Sequence, residues 1–262
     1  METKRKIELV VFSDVHLGTY GASAKELNHY LKTIDPGKVI INGDWLDIWN
    51  FDANYWPPAH TENIFLVFEF LNKGTPVYYL TGNHDDDLRK FSNYQFDKLE
   101  LMDELILDLD GQKHWFLHGD QYDKSVGDKA KWLAKLGGKS YDQMIRFNRK
   151  VNELLENAGQ ERIMFSKMIK DNVKKIVKSN VSDFEQLACE EGIRRGYDYV
   201  ICGHVHRPQM RKVSNGQGSV MYLNSGDWVE NCTSLEYNDG KWRVFDYYAE
   251  LHHTHKRAAF SA

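Results

Sequence analysis

Seven residues with metal-binding side chains each follow a short apolar run. Asp14 and His16 stand in Ser13-Asp14-Val15-His16, directly after Leu9 to Phe12. Asp44 follows Asn42-Gly43, and Asn83 lies in Gly82-Asn83-His84-Asp85. His118 opens His118-Gly119-Asp120, while His204 and His206 alternate in Gly203-His204-Val205-His206. Carboxylate, imidazole and amide ligands without a thiolate suit Mn²⁺, Fe or Zn²⁺ and not a structural cysteine site. Seven is too many for one tetrahedral ion. Two ions about 3.5–4 Å apart that share a carboxylate would use the whole set, the arrangement that clamps a phosphoryl group. In Asp14-x-His16 and His204-x-His206 an extended backbone is expected to send both side chains to one side. Glycines at 43, 82, 119 and 203 allow the backbone to turn tightly and approach a ligand closely.

Taken singly, an Asp or His in a loop is usually solvated surface. Asp14 and Asp44 are different, because each directly follows an apolar strand, where an unpaired carboxylate is costly to bury. A metal removes that cost. Asp85 is expected to orient the imidazole of its neighbour His84. Asp47, three residues after Asp44, fits either a group that orients a ligand or an ordinary helix cap. The aromatic stretch from Trp45 to Pro58, with Trp49, Phe51, Tyr55 and Trp56, reads equally as a cleft lining or as packing.

The elements that must bring these residues together alternate over the first half of the chain. Apolar runs at Ile7 to Phe12, Val39 to Ile41 and Val77 to Leu80 predict buried strands. The spacing at Ala22 to Leu31 and Asn63 to Leu71 predicts helices, the second burying Ile64, Val67, Phe68 and Leu71. This β-α-β-α-β order favours a parallel sheet, whose ligands gather beyond the carboxyl ends of its strands. Leu105 to Leu109 and His114 to Leu117 predict a hairpin around Asp110-Gly111. Phe184 to Arg195 predicts a helix and Tyr199 to Cys202 a strand. Strands follow at Ser219 to Leu223, Thr233 to Tyr237 and Trp242 to Tyr247, the last two joined by the turn Asn238-Asp239-Gly240.

A chain of 262 residues with 42% hydrophobic and 27% charged residues and only 5 prolines excludes disorder and low-complexity architectures. It is read as one domain, 1–262, carrying a helical insertion at 124–180. No apolar run is long enough for a membrane span, and no secretory leader is evident, so a cytoplasmic protein is expected. Cys189, Cys202 and Cys232 are too few and too scattered for a disulfide framework. The net charge of −4 argues against nucleic acid as a partner. Charge is uneven, however: residues 121–180 hold 14 Lys or Arg against 7 Asp or Glu, a local +7 that leaves −11 elsewhere. Phe165, Met168, Ile169, Val173, Ile176 and Val177 keep helical spacing there, with lysines such as Lys167 between them. Such amphipathic basic helices suit an anionic membrane surface, a cap that covers the metals and selects the substrate, or a helical cap packed on the main domain with a solvated basic face.

The ordered blocks D-x-H, G-D, G-N-H-D, H-G-D and G-H-x-H, all between Ser13 and His206, resemble those of the calcineurin-like metallophosphoesterases. The resemblance implies an α/β fold of two mixed β-sheets sandwiched between helices. It implies that Asp14, His16, Asp44 and His206 hold one divalent ion, and that Asp44, Asn83, His118 and His204 hold another. His84 would stand outside the metals near the leaving-group oxygen, with Asp85 beside it, and Mn²⁺ is the first expectation for both ions. Within the superfamily the chain is similar to the UDP-2,3-diacylglucosamine pyrophosphatase family, peripheral membrane enzymes of lipid A synthesis. The similarity rests on Ser13 to Leu17, Gly203-His204-Val205-His206-Arg207-Pro208, Gly226-Asp227-Trp228 and the position of the insertion. It departs at His84, where the best-known members have Arg, and at Gln121-Tyr122-Asp123-Lys124.

That branch implies hydrolysis of UDP-2,3-diacylglucosamine to 2,3-diacylglucosamine 1-phosphate and UMP at the inner-membrane surface. Phe165, Lys167, Met168 and Arg207 are the expected substrate contacts. Two alternatives stay open: a phosphodiesterase or protein phosphatase acting on a soluble substrate, and a non-enzymatic scaffold on the same fold.

Overall fold

The computed structural model describes residues 4–123, 151, 155 and 180–252. Apart from residues 151, 155 and 180, the insertion expected at 124–180 lies outside the described residues, and so do Phe165, Lys167 and Met168. The first half runs β1 (Arg5–Ile7), β2 (Leu9–Phe12), α1 (Ala24–Thr33), β3 (Ile34–Pro36), β4 (Val39–Asn42), α2 (Pro58–Asn72) and β5 (Val77–Leu80). There follow β6 (Gln95–Phe96), β7 (Leu99–Met102), β8 (Glu104–Leu109), β9 (Gln112–Leu117) and α3 (Asn180–Arg194). The chain then continues through β10 (Tyr199–Cys202), β11 (Gln209–Asn215), β12 (Gly218–Asn224), β13 (Thr233–Asn238) and β14 (Lys241–Asp246).

A seven-stranded sheet has the order β14-β13-β2-β4-β5-β7-β6, and a five-stranded sheet the order β11-β12-β10-β9-β8. Both are mixed: β2, β4, β5 and β7 run parallel, as do β9, β10 and β12, with antiparallel strands outside them. The inner faces meet through Leu9, Val11, Ile40 and Leu80 on one side and Phe116, Ile201 and Leu223 on the other. Val10, Phe12, Val39 and Ile41 face the opposite way, onto Leu27, Leu31, Val67 and Phe70 of α1 and α2. Trp115 and Val200 pack beneath Phe184 and Ala188 of α3. The layers are therefore helix, sheet, sheet, helix. Burial on both faces explains why β2 and β4 are apolar without alternation, whereas the edge strand β8 alternates.

Two sequence expectations need correction. Ile7 to Phe12 is not one strand: Arg5–Ile7 pairs with β3, and the chain bends at Glu8 before β2 joins the large sheet. Helix α2 buries His60, Asn63, Leu66, Val67 and Phe70 and leaves Phe68 48% exposed. Polar partners fix this rotation. Asn63 accepts a hydrogen bond from Trp45 Nε1 and donates one to Asn28, both at 2.8 Å, so its apolar neighbours Leu66, Val67 and Phe70 face inward. The three cysteines are buried and form no disulfide. Among the described residues no helix is long and apolar enough to cross a membrane.

Candidate metal centre

All the metal-type residues singled out in the sequence stand just beyond the carboxyl ends of β2, β4, β5, β9 and β10. The two sheets are tied together there. His118 Nδ1–H donates to the carbonyl of Asn42 at 2.8 Å, and the Asn42 amide reaches the Ile201 carbonyl at 3.4 Å. Asp14, His16 and His206 form one cluster of potential ligands, His16, Asp44 and His84 a second, and Asp14, Asp44 and His118 a third. The clusters share members and so form one continuous site.

Its spacings suit cations. Neighbouring ligands on an ion with bonds of about 2.1 Å lie about 3.0 Å apart in octahedral geometry and about 3.4 Å apart in tetrahedral geometry. Asp14 Oδ1 and His206 Nε2 are 3.2 Å apart, as are Asp44 Oδ2 and His118 Nε2. His16 Nε2 lies 3.4 Å from His206 Nε2, and His204 Nδ1 2.9 Å from Asn83 Oδ1. Asp14 Oδ1 and His118 Nε2 are buried with no hydrogen-bond partner. Buried polar atoms are rarely left so, and an ion would satisfy both. The residues present therefore fit the group.

The backbone reaches this arrangement in a way the sequence pattern did not anticipate. Asp14, His16, Asp44, His204 and His206 all have positive φ, between 52° and 67°. The pairs Asp14-x-His16 and His204-x-His206 converge through left-handed residues, not through the alternation of an extended strand. The reason is local: each strand has ended, and Asp and His tolerate this region better than bulkier residues do. Gly43 is also left-handed (φ 86°), and a Cβ there would collide with the His118 imidazole.

Groups behind the cluster orient it. Asp47, 3% exposed, accepts from His16 Nδ1–H through Oδ2 at 3.0 Å, and its Oδ1 lies 3.0 Å from His84 Nδ1. The sequence leaves Asp47 between a ligand-orienting group and a cap, and it makes both kinds of contact: besides the two histidines, its Oδ1 accepts from Asn50 N at 2.8 Å. Asp227 Oδ2 lies 3.5 Å from His206 Nδ1, and Asp123 Oδ2 accepts from His204 Nε2–H at 2.9 Å. Neither role was read from the sequence. Asp227 follows the end of β12, so the strand-end rule that found the other residues would have found it too.

Burial works against every charge here, yet opposite charges prevail. Against burial, His118, His84 and His16 hold the Asp44 carboxyl well below its usual range, and His206 lowers that of Asp14. Against burial, Asp44 raises His118, while Asp14 and Asp227 raise His206 to about 10. His84 is raised by Asp47 and Asp44 against the same penalty.

Asp85 does not take the place expected for it. Its carboxylate accepts from Trp45 N at 3.0 Å, Tyr79 Oη at 2.6 Å and Gly82 N at 2.6 Å. It anchors the loop, and Asp47 is the carboxylate that faces His84. Burial, and secondly the Asp44 charge, push Asp85 up to about 6. Arg207 is exposed beside His206. The aromatic stretch divides. Trp49 lies against His84 with ring centres 4.7 Å apart, Phe51 is 51% exposed, and Trp56 packs on the core.

The sequence model of the family described as calcineurin-like phosphoesterase matches residues 7–208. A UDP-2,3-diacylglucosamine hydrolase of Aliivibrio fischeri is 28% identical over 218 residues, covering 79% of this chain and 84% of that protein. One of Stenotrophomonas maltophilia is 25% identical over 245 residues, covering 88% and 95%. Among solved structures, the phosphoesterase YfcE of E. coli is similar over 91% of this chain and 92% of its own. Its sequence identity is 13% and its TM-score 0.44.

Proposed function

The chain belongs to the calcineurin-like phosphoesterase family and is a metal-dependent phosphoesterase, and from that premise we propose that its strand-end cluster is a dinuclear centre. Asp14, His16, Asp44 and His206 hold one ion, Asp44, Asn83, His118 and His204 the other, and Mn²⁺ is the ion at both. The observation that carries this reading is the set of buried ligand atoms 2.9–3.4 Å apart, two of them without any hydrogen bond. When bound, such ions supply Lewis acidity, neutralising charge on phosphoryl oxygens and acidifying water.

The chain's own groups do the rest. Asp47 and the Asn42 carbonyl occupy the outer nitrogens of His16 and His118, so the inner Nε2 atoms keep their lone pairs for a cation. His84 faces Asp47 and is backed by Trp49, and against burial Asp47 and Asp44 raise its pKa, which favours the protonated form. It donates that proton to the departing oxygen. Asp85 contributes by fixing the loop that carries Asn83 and His84.

The substrate class is a nucleotide-linked, acylated sugar pyrophosphate, with UDP-2,3-diacylglucosamine as the specific case and UMP as a product. Support comes from the relatives of that name, which align over most of their length. Arg207, exposed next to His206, suits a phosphate contact. Phe165, Lys167 and Met168 are proposed from sequence alone as contacts to the acylated sugar, in a basic segment that touches the anionic membrane carrying such a substrate.

The deciding experiment is Mn²⁺-supported hydrolysis of UDP-2,3-diacylglucosamine, a nitrophenyl phosphodiester and a phosphopeptide. UMP release at a kcat/KM well above that for the other two supports the reading. Turnover of the soluble substrates alone would overturn the lipid assignment and leave the phosphoesterase standing. Replacing Phe165 and Met168 by Ser should raise KM for the acylated substrate only, because each buried CH₂ is worth about 0.8 kcal/mol.

A further inference from the structure

Each imidazole proposed above as a ligand has one nitrogen facing the cluster and the other on an oxygen behind it. For His16 that oxygen belongs to Asp47, for His118 to the Asn42 carbonyl, and for His206 to Asp227. In all three it is Nδ1 that faces outward and Nε2 that faces in. His204 reverses the pattern. Its Nε2–H donates to Asp123 Oδ2 at 2.9 Å, and its Nδ1 lies 2.9 Å from Asn83 Oδ1. A ring whose single proton is on Nε2 offers the Nδ1 lone pair beside Asn83 Oδ1, so that both atoms can face one cation.

Asp123 reaches this position because the chain turns sharply after β9. Gly119 is left-handed (φ 110°), and Tyr122 N donates to Gly119 O and Asp123 N to Asp120 O. The turn brings the carboxylate back over a histidine 81 positions later in the chain. Both groups are largely buried, their side chains 11% and 19% exposed, and the Phe184 ring stands against His204 with centres 5.7 Å apart. A pair so enclosed fixes the rotation of the ring as well as its tautomer. The motif His118-x₄-Asp123 thus carries a ligand at one end and the holder of a second ligand at the other.

We propose that Asp123 is the positioning residue for His204, selecting the tautomer that presents Nδ1 beside Asn83 to the second metal ion. The inference rests on the dinuclear reading above. Asp123 acts on the ion held by Asn83, His118 and His204 and leaves the one held by Asp14, His16 and His206 unchanged.

The test uses the full chain as parent, Asp123→Ala and Asp123→Asn. Each is titrated with Mn²⁺ alone under chelator competition, and the exchange-coupled paramagnetic signal of neighbouring Mn²⁺ ions is followed. The first ion should bind all three with the parent's affinity. The second should bind Asp123→Ala about 10–100-fold more weakly, the range typical of lost partners behind a ligand. Asp123→Asn should fall between, since its amide oxygen still accepts from Nε2–H without the charge. A second ion bound to Asp123→Ala as tightly as to the parent overturns the proposal. So does equal weakening of both ions with a lowered melting temperature in both variants, which marks a merely structural contact. A parent that takes up a single ion overturns the dinuclear reading itself, and the inference with it.

Discussion

Asp47→Ala tests the idea that one buried carboxylate serves two histidines with different tasks. The substitution removes the acceptor 3.0 Å from His16 Nδ1 and the oxygen 3.0 Å from His84 Nδ1. The first is a charge-assisted hydrogen bond, worth about 1.5–3 kcal/mol, and the second an ion-pair contact without hydrogen-bond geometry. Through His16 the loss falls on metal affinity, for which partners behind a ligand typically matter about 10–100-fold. Through His84 it falls on proton delivery, and a loosened acid loses part of the roughly 10²–10⁴-fold that such a group contributes. The two losses differ in their dependence on metal. At limiting Mn²⁺ they multiply, so kcat/KM for a substrate with a poor leaving group should drop about 10²–10⁴-fold, given about 10–100-fold from each histidine. At saturating Mn²⁺ the His16 share is restored by mass action, and about 10–100-fold should remain. The assay is hydrolysis of an alkyl phosphodiester across a Mn²⁺ series, with a nitrophenyl ester as control. Full recovery at high Mn²⁺ would show that Asp47 acts through His16 alone, and no recovery at all that it acts through His84 alone. Either result refutes the two-histidine account.

Asp44→Ala should leave a folded chain with nearly all activity and the bound metal gone; two ions per chain by metal analysis would refute the bridging assignment. His84→Ala should keep its metal and lose rate by about 10²–10⁴-fold, with a smaller loss on a nitrophenyl leaving group that needs no proton. Equal losses on both substrates would point to charge stabilisation instead. Metal uptake should release protons. Against burial, Asp14 and Asp227 raise His206 to about 10 from an ordinary 6.5, and Asp44 raises His118. This contribution to the metal-free fold is fully present below pH 6.5 and is lost as pH rises through about 10. The lowered carboxyls Asp14 and Asp44 contribute above their ordinary 3.8 and lose that contribution as pH falls through their depressed values. Binding should therefore tighten as pH rises towards about 10, the folded value of His206. Calorimetry in buffers of different ionisation enthalpy counts the protons, and none released at pH 7.5 would contradict the pairing.

The parts of the fold legible in the sequence were those fixed by local chemistry. Val77–Leu80 and Tyr199–Cys202 are strands with the bounds their apolar runs suggest. The hairpin at Asp110-Gly111 turns where both residues have positive φ, at 54° and 77°. Elements settled by distant partners were not legible. β3 and β6 are two or three residues long and exist because β1 and β7 offer them edges. Helix α2 is apolar on more than one face, so periodicity could not choose which face to bury; Asn63, bonded between Trp45 and Asn28, chose it. Asp85 and His84 are adjacent in sequence, but adjacency says little about direction after a turn. Its carboxylate faces Tyr79 and Gly82, while Asp47, from another strand end, faces His84.

What the sequence showed least is how much backbone strain the cluster carries. Five of its seven proposed ligands are left-handed, and such residues cost an L-amino acid roughly 1–2 kcal/mol each, less for Asp. The total, several kcal/mol, is comparable with the roughly 5–15 kcal/mol by which a domain is stable. Hydrogen bonds fix part of the geometry: Val15 N and His16 N both donate to Asp44 O, and His204 N donates to Asp14 Oδ2. They hold the backbone but leave Asp14 Oδ1 and His118 Nε2 buried without a hydrogen bond, each only 3.2 Å from an oppositely charged neighbour. The scaffold thus fixes ligand positions in advance at an energetic loss. A cation that binds the folded cluster and not the unfolded chain offsets that loss by mass action. Strain, ligand atoms without hydrogen bonds and raised histidines have one physical origin, a site shaped for positive charge on the rim of two packed sheets.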